Sequence, residues 1–412
     1  MRFVHEPRAT LSKRTSVIRG ELVKRTPIVR GKQILAFFVS SCIFSACSAA
    51  DDHPDAETTA PTTTSTPTPT LDQLDQWLAT LLRTTKAPAG VVAIQHGDGD
   101  PIVVSRGQTT DDPPRDVNAD THWRVASVTK SFVAALALVM EADGSIDLDS
   151  PIAIYLDSPL GDVTLRQLLT HTSGLPDFAD DLDDPDAIDP LLLPFDRAYS
   201  LDEALQKAEE LAPWIDVERG AYYSNANYVV AGAVLERAGG APLGTLLRDR
   251  VLAVLQLDNT RYLPDEPDGP APAGGLDDLG GGVEIPSEAF PRTSLITLVG
   301  PAAGVASDVD DMLEWANVIF RGRHLADVDL SPMLEIQPGG YGLGVAGVGE
   351  SGTCVFDGCP PDETFTRFSL AGDFPGASTR IWYDPRTDTV LLVYLNRNAL
   401  ALDEPMAAFL DE

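Results

Sequence analysis

Apolar residues along the chain predict alternating blocks of helix and strand. Large apolar side chains recur at helical spacing over residues 71–82, which predicts a helix there. Two short apolar runs follow at 91–94 and 102–104, and the Gly-Asp-Gly at 97–99 between them favours a β-hairpin. Residues 127–140 are apolar and rich in alanine with no helix breaker, which predicts a buried helix.

The rest of the chain continues this alternation and ends in strands. Helical pieces are expected at 201–211, 227–238 and 243–255, strands at 366–370, 378–383 and 389–395, and a last helix at 402–411. We therefore predict an α/β sandwich whose antiparallel sheet combines residues about 90–105 with 366–395. A mainly helical region of about 150–300 is inserted between them. The two terminal helices should cover one face of the sheet, and the 127–140 helix with the inserted region should cover the other.

The first 46 residues have the composition of an export signal. They hold nine Lys or Arg and two Asp or Glu, and a basic stretch precedes the apolar run 34–44. That run is about 11 residues long, whereas a bilayer-spanning helix needs about 20. Small residues followed by Cys47 resemble a bacterial lipobox, which implies cleavage before Cys47 and its lipidation. An ordinary cleaved signal peptide, which would release the protein, is the alternative.

Composition divides the remainder into a tether and a folded domain. Residues 47–70 are rich in Thr, Pro and acidic residues and cannot form an apolar core, so we expect a tether followed by one domain over 71–412. The whole chain has 62 acidic and 30 basic residues and a formal charge of −32. This balance argues against nucleic-acid binding, which needs clustered Lys and Arg.

Two cysteines of the domain predict a disulfide. Cys354 and Cys359 are close in sequence, and oxidation is the expected state of such a pair in an exported protein. A zinc site would need two more ligands, and no Cys/His cluster supplies them. No metal or cofactor is expected.

Two loops have unusual compositions. The Asp-rich segment 177–190 is interpreted as a solvated acidic loop, because its oxygen ligands lack the ordered spacing of a calcium loop; a calcium site is the alternative. The Gly-rich segment 265–283 is not a phosphate-binding loop, which requires a Lys, because no Lys follows Lys207.

The chemistry is expected at Ser127-Val128-Thr129-Lys130, the one Ser-x-x-Lys in the chain. At the start of a helix, residues three apart lie on one face, so the Ser hydroxyl and the Lys amine can meet. A buried lysine loses proton affinity and can act as a base. The alternative is a capping Ser and a surface Lys. Lys130 lies just inside a wholly apolar helix, where an unpaired charge is costly, which favours the catalytic interpretation.

A second motif, Tyr223-Ser224-Asn225, places a phenol and an amide two residues apart. Alone it is typical of a turn before a helix. Together the two motifs resemble the serine β-lactamase and penicillin-binding-protein superfamily, in its class C and DD-peptidase branch. The similar segments occur in the family's order over residues about 75–400: 123–130, 164–175, 223–228, 303–312 and 341–344.

The resemblance implies a role for each matching residue. Ser127 would be the acylated nucleophile, and Lys130 and Tyr223 would transfer its proton and later that of the leaving group. Asn225 would bind the amide carbonyl of the substrate, and the N–H of Ser127 would form half of an oxyanion hole. His171 lies in a His-Thr-Ser-Gly segment that is structural in this family. The alternative, a Ser–His pair with Ser173 or Ser127, is therefore disfavoured.

One family motif is changed. The family has Lys-Thr-Gly or His-x-Gly on the strand that borders the site, and here these positions fall on Leu370-Ala371-Gly372. Gly372 would let the substrate backbone approach, and the N–H of Asp373 would complete the oxyanion hole. Leu370 replaces a cation that binds a substrate carboxylate, which predicts a weak β-lactamase and a poor DD-carboxypeptidase. Arg367 or Arg380 could supply the charge instead.

These observations predict an envelope-associated serine hydrolase that cleaves an ester or amide through an acyl-enzyme. Its substrate would be a small molecule or peptide, such as a D-amino-acid peptide, a β-lactam-like compound or a carboxylic ester. A monomer attached to the membrane through a lipid anchor is expected. The alternative is a binding protein of the same fold that has lost turnover, against which the intact Ser127, Lys130, Tyr223 and Asn225 argue.

Overall fold

A computed structural model describes residues 69–178, 193–211, 221–278, 283–323, 325, 328–349, 363–399 and 402–411. Cys47, Cys354, Cys359 and the Asp-rich segment from 179 onward lie outside the described residues, so the predicted lipidation, the disulfide and the domain boundaries at 46 and 70 stay predictions. No helix in the described ranges is long and apolar enough to cross a membrane.

The described elements follow the predicted order. The helices are α1 (Leu71–Thr85), α2 (Thr129–Ala142), α3 (Leu165–Leu169), α4 (Leu201–Glu209), α5 (Asn225–Gly239), α6 (Leu243–Leu247), α7 (Arg292–Leu298), α8 (Gly300–Ala303), α9 (Val309–Phe320) and α10 (Asp403–Asp411). The strands are β1 (Ala89–His96), β2 (Ile102–Gly107), β3 (Trp123–Arg124), β4 (Arg261–Tyr262), β5 (Leu276–Asp278), β6 (Glu284–Pro286), β7 (Val305–Ser307), β8 (Ala346–Gly349), β9 (Phe365–Phe374), β10 (Ala377–Asp384) and β11 (Thr389–Leu395).

The main sheet is antiparallel and is assembled from both ends of the domain, as predicted. Its strand order is β2-β1-β11-β10-β9-β8. Strand β1 pairs with β11, so that Gly90 faces Leu395 and His96 faces Thr389. Edge strand β8 was not predicted, because its sequence Ala-Gly-Val-Gly has no alternation of large apolar and polar residues.

The two faces of the sheet bury different layers of helix. Alternate strand residues such as Val92 and Val393 join a cluster with α1 and α10. The residues between them, such as Val91 and Leu392, join the larger cluster that contains α2, α5 and α9. This two-layer arrangement confirms the predicted sandwich, because successive strand side chains point to opposite faces.

The inserted region is less purely helical than predicted. Helix α6 ends at Leu247 and continues as a π-helical turn, Arg248–Leu252, in place of one helix over 243–255. Strands β4 and β7 join β3 in a second small sheet in the order β3-β7-β4. The N–H of Val125 donates to the carbonyl oxygen of Val305 at 3.1 Å, so this small sheet anchors the chain that leads to Ser127.

Candidate active site

Ser127 lies in a sharp turn between β3 and α2. A short 3₁₀ turn, Ala126–Val128, precedes the helix. Ala126 has a φ of 49°, in the left-handed region that a residue with a Cβ rarely adopts and that is common at functional sites. The Thr129 hydroxyl accepts the N–H of Val305 at 2.9 Å. Ser127 is therefore held at the beginning of a rigid, buried helix.

Lys130 extends from the first turn of α2 into the protein and is fully buried. Its Nζ lies 3.0 Å from Ser127 Oγ, 2.8 Å from Asn225 Oδ1 and 3.1 Å from the carbonyl oxygen of Ala302. The amide and carbonyl oxygens only accept hydrogen bonds, whereas a serine hydroxyl can also donate. A neutral amine satisfies all three partners: its two N–H groups donate to the oxygens of Asn225 and Ala302, and its lone pair accepts the Ser127 proton.

Burial favours this neutral form. It lowers the pKa of Lys130 to about 7, against the opposing attraction of Asp177. In a substantial fraction of the molecules Lys130 is therefore unprotonated near neutral pH and able to accept the proton of Ser127. The distance of 3.0 Å between Ser127 Oγ and Lys130 Nζ confirms that the two side chains meet, as their spacing predicted.

We expect the kcat/KM of an ester substrate to depend on this ionisation. Protonated Lys130 has no lone pair for Ser127, so kcat/KM should rise about tenfold per unit of pH in the acidic range and level off above about pH 7. A profile of kcat/KM for p-nitrophenyl butyrate between pH 5 and 9 measures this. A profile that is flat, or that falls as the pH rises through 7, would exclude Lys130 as the base.

Tyr223 completes the hydrogen bonds of the nucleophile. Its hydroxyl donates to Ser127 Oγ at 2.7 Å, and Lys130 Nζ lies 4.6 Å from the centroid of its ring. Burial raises the pKa of the Tyr223 phenol well above its usual value, so the phenol stays protonated. Ser127 Oγ thus has a donor on one side and a base on the other.

Asn225 begins α5 and is almost completely buried. Its Nδ2 donates to Asp177 Oδ2 at 2.9 Å, and its backbone N–H donates to Asp177 Oδ1 at the same distance. The interpretation of Asp177 as part of a solvated loop was therefore wrong. Asp177 is 3% exposed and lies beside the site, because the loop after α3 packs under the start of α5.

His171 is buried beneath Tyr223 and does not activate a serine. Its Nδ1 accepts the backbone N–H of Ser224 at 3.2 Å, and its ring centroid lies 4.4 Å from that of Tyr223. Burial lowers the pKa of His171 well below its usual value, so the ring is neutral. Ser173 Oγ donates to Asn227 Oδ1 at 2.5 Å instead of to His171. The geometry supports the structural role expected for His171.

Strand β9 brings the changed third motif against the Ser127 turn. A Cβ built on Gly372 would overlap the carbonyl oxygen of Val125 and lie 2.8 Å from Ser127 N. The glycine is thus required for strand β9 to approach the nucleophile turn. The sequence predicted a different reason for this glycine, the approach of a substrate backbone. The side chain of Leu370 is 2% exposed within the main apolar cluster, so it presents little surface to a substrate.

Neither predicted arginine replaces the missing cation. Arg367 Nε donates to Asp384 at 2.8 Å and also pairs with Asp411 of α10. Arg380 pairs with the Asp373 side chain at 2.9 Å and with Asp403 of α10 at 3.5 Å. Helix α10 covers the face opposite α2, so both guanidiniums point away from Ser127 and are neutralised there.

The sequence motifs do not reveal two contacts of the site. Ala302 supplies only a backbone oxygen, which no sequence motif reveals. Asp177 was visible only as one of many acidic residues, although its position two residues after the 164–175 segment could have drawn attention to it. Within the described ranges, no group of three or more His, Cys, Asp or Glu is arranged to hold a metal ion.

The chain is similar to several known proteins. A model of the family described as Beta-lactamase matches residues 74–411. Esterase EstB of Burkholderia gladioli is 34% identical over an alignment of 201 positions that covers 43% of this chain and 48% of the esterase. A D-aminopeptidase of Brucella ovis is 28% identical over 260 residues, which are 62% of this chain and 47% of that enzyme. The chain thus spans about half the length of these curated relatives.

A solved structure shares the fold. The D-amino acid amidase from Ochrobactrum anthropi SV3, complexed with D-phenylalanine, superposes with a TM-score of 0.66 at 22% sequence identity. The alignment covers 83% of this chain and 98% of the amidase chain. At this identity the likeness concerns the fold, and it matches the predicted sandwich of an antiparallel sheet and helices.

Proposed function

Because the chain belongs to the β-lactamase family, whose members similar to it are serine hydrolases, we propose that it hydrolyses neutral carboxylic esters through an acyl-enzyme on Ser127. One observation supports this most directly. Ser127 Oγ lies 3.0 Å from the buried amine of Lys130 and accepts a hydrogen bond from Tyr223 at 2.7 Å. A serine placed between a base and a proton donor is equipped for acyl transfer.

The proposed reaction has two halves. In the first, Ser127 Oγ bonds to the acyl carbon while its proton passes to Lys130 Nζ. The bond to the leaving group then breaks, and the leaving group takes a proton by way of the Tyr223 hydroxyl. In the second half, water adds to the acyl carbon and gives a proton to the Lys130–Tyr223 pair. The bond to Oγ breaks, the acid leaves, and Oγ recovers its proton.

The oxyanion of each tetrahedral intermediate would be bound by two backbone N–H groups. One belongs to Ser127 and the other to Asp373, on the strand that Gly372 holds against the nucleophile turn. The side chain of Asp373 faces away, where Ser378 Oγ donates to it at 2.5 Å and Arg380 at 2.9 Å. These bonds hold the Asp373 side chain on the face of the strand that Arg380 and α10 share.

The lost cation supports the choice of neutral esters. An unpaired substrate carboxylate in a partly buried site costs about 2–5 kcal/mol. Leu370 is apolar and buried, and Arg367 and Arg380 are paired on the other face. The similarity to esterase EstB agrees with this choice.

We expect the enzyme to discriminate against a carboxylate on the leaving group. The hippuryl ester of phenyllactic acid and the methyl ester of the same compound differ in that charge and in one methyl group, and the rate compared is the release of hippuric acid from each. The kcat/KM should be higher for the methyl ester by at least about thirtyfold, which corresponds to the lower end of the cost above. Equal rates, or a preference for the free carboxylate, would favour a β-lactamase or DD-peptidase instead.

Amide hydrolysis is the second candidate, because a D-aminopeptidase and a D-amino acid amidase are among the similar proteins. Turnover of D-phenylalanine amide but not of its L-enantiomer would support it. A binding protein without turnover is disfavoured by the complete hydrogen-bonded set around Ser127.

For its location, we propose export and attachment to the cell membrane through a lipid on Cys47, with residues 47–70 as the tether. The basic and apolar composition of residues 1–46 supports this. Loss of labelled palmitate from the Cys47→Ser variant tests it; retention of the label would refute it. The monomeric state stays a prediction.

A further inference from the structure

Asp177 is linked to Lys130 through the side-chain amide of Asn225, which bonds both residues. Its Oδ1 accepts the backbone N–H groups of Phe178 and Asn225, both at 2.9 Å. Its Oδ2 accepts Nδ2 of Asn225 at 2.9 Å. Three N–H donors favour the ionised carboxylate. The described residues thus form a continuous line from Asp177 through Asn225 to Lys130, all of it buried.

A carboxylate can only accept hydrogen bonds, so it determines which way the amide of Asn225 points. Nδ2 must face Asp177, and Oδ1 must then face Lys130 Nζ, which lies at 2.8 Å. With the amide reversed, the donor Nδ2 of Asn225 would face Lys130 Nζ. The lone pair of the neutral amine is already used by the Ser127 hydroxyl and one N–H by the carbonyl oxygen of Ala302, so two donors would face each other. The orientation matters because Lys130 becomes an ammonium when it takes the proton of Ser127.

We propose that Asp177 is a positioning residue that keeps the Asn225 oxygen on Lys130 and supplies the negative charge that stabilises the Lys130 ammonium formed during acylation. This inference rests on the proposed function, since it assigns Lys130 as the base.

The other titratable groups that the structure describes around Lys130 are neutral. These groups are one imidazole and three phenols. The imidazole is that of His171, just after α3. The phenols are Tyr223 before α5, Tyr228 in α5 and Tyr341 before β8. Burial lowers the pKa of His171 and raises the pKa of each phenol well above its usual value, so none carries a charge near neutral pH. Among the described residues, Asp177 is the charge that attracts Lys130, and this attraction raises the lysine pKa.

Asp177→Asn is the substitution that isolates this role. The new amide oxygen can still accept the backbone N–H groups of Phe178 and Asn225, so the loop keeps its bonds. The new NH₂ group replaces Oδ2 and faces Nδ2 of Asn225, so the Asn225 amide is expected to reverse. The charge and the orientation are lost together, with almost no change in volume.

The test measures the rate at which a fluorophosphonate probe labels Ser127 as a function of pH. Purified wild type, Asp177→Asn, Ser127→Ala and the control Asp311→Asn are compared. Asp311 is also a buried acceptor, of Thr260 Oγ1 at 2.8 Å and of the N–H of Asn259 at 2.9 Å, but it lies on α9 away from Ser127. It should label as wild type does.

For Asp177→Asn we expect two changes. The maximal labelling rate should fall by at least about thirtyfold, because the Lys130 ammonium loses its counter-charge. The midpoint of the pH profile should move to lower pH by about one unit, because the attraction that raises the lysine pKa is gone. A purely structural role would reduce the amount of active enzyme without moving the midpoint, and that result would overturn the inference.

Two further comparisons keep the result interpretable. Asp177→Ser also removes the charge but places no NH₂ group against Asn225, so it should show the same shift of the midpoint. It replaces Asp177→Asn in the test if that variant does not fold. If Ser127→Ala is labelled as fast as wild type, the proposed function itself is wrong. If Ser127→Ala is unlabelled and Asp177→Asn behaves as wild type, the inference on Asp177 alone is wrong.

Discussion

Replacing Lys130 with methionine is expected to lower kcat/KM for p-nitrophenyl butyrate by at least about a hundredfold. Methionine fills a similar volume in the apolar surroundings of α2 but cannot accept the proton of Ser127, and general-base catalysis contributes about 10²–10⁴ in rate. Asn225 Oδ1 and the carbonyl oxygen of Ala302 each lose a buried donor, so we expect a loss of about 1–3 kcal/mol in the free energy of unfolding for each acceptor left unpaired.

The matched control is Lys207→Met in α4, which removes a lysine away from Ser127. It should leave kcat/KM within about twofold of wild type, as surface substitutions usually do. A folded Lys130→Met variant with at least a tenth of wild-type activity would show that another group removes the proton of Ser127.

Replacing Gly372 with alanine is the second large change that we expect. The added Cβ would overlap the carbonyl oxygen of Val125 and lie 2.8 Å from Ser127 N, so strand β9 must move away from the nucleophile turn. Displacing the N–H of Asp373 from the oxyanion removes one donor, which should lower kcat by about 10²–10³. Steady-state kinetics with p-nitrophenyl butyrate measures this.

The control is Ala371→Ser, which adds one heavy atom to the neighbouring residue, on the opposite face of β9. It should have little effect on kcat. If Gly372→Ala keeps wild-type kcat while remaining folded, the strand does not contribute to the oxyanion site.

The architecture could be predicted from the sequence because the longest helices and strands have clear patterns of apolar residues. Helix α2 is apolar on all sides, and the strands at 366–395 are bounded by turn residues. Strand β8 was missed because four residues with two glycines carry no periodic signal. The helix expected over 243–255 changes to a π-helical turn at Arg248, where Arg248 bonds Glu266 and Thr260, and such tertiary contacts override a helical pattern.

The sequence also identified the residues around Ser127, because two motifs and their resemblance to a family specify residue types. It could not identify the role of Asp177, which is 48 residues from Asn225 and lies in an acidic segment that is typical of solvent-exposed loops. The partners of Arg367 and Arg380 were equally inaccessible. Which face of a strand a charged residue occupies depends on register, and the register places both arginines against α10.

The most direct test of an acyl-enzyme on Ser127 is the intact mass of the purified 71–412 domain after brief incubation with p-nitrophenyl butyrate and acid quenching. We expect a butyryl adduct that peptide mapping places on Ser127, that disappears as turnover completes, and that is absent from Ser127→Ala. Ester turnover without an adduct, or an adduct and turnover that persist in Ser127→Ala, would contradict an acyl-enzyme on this serine.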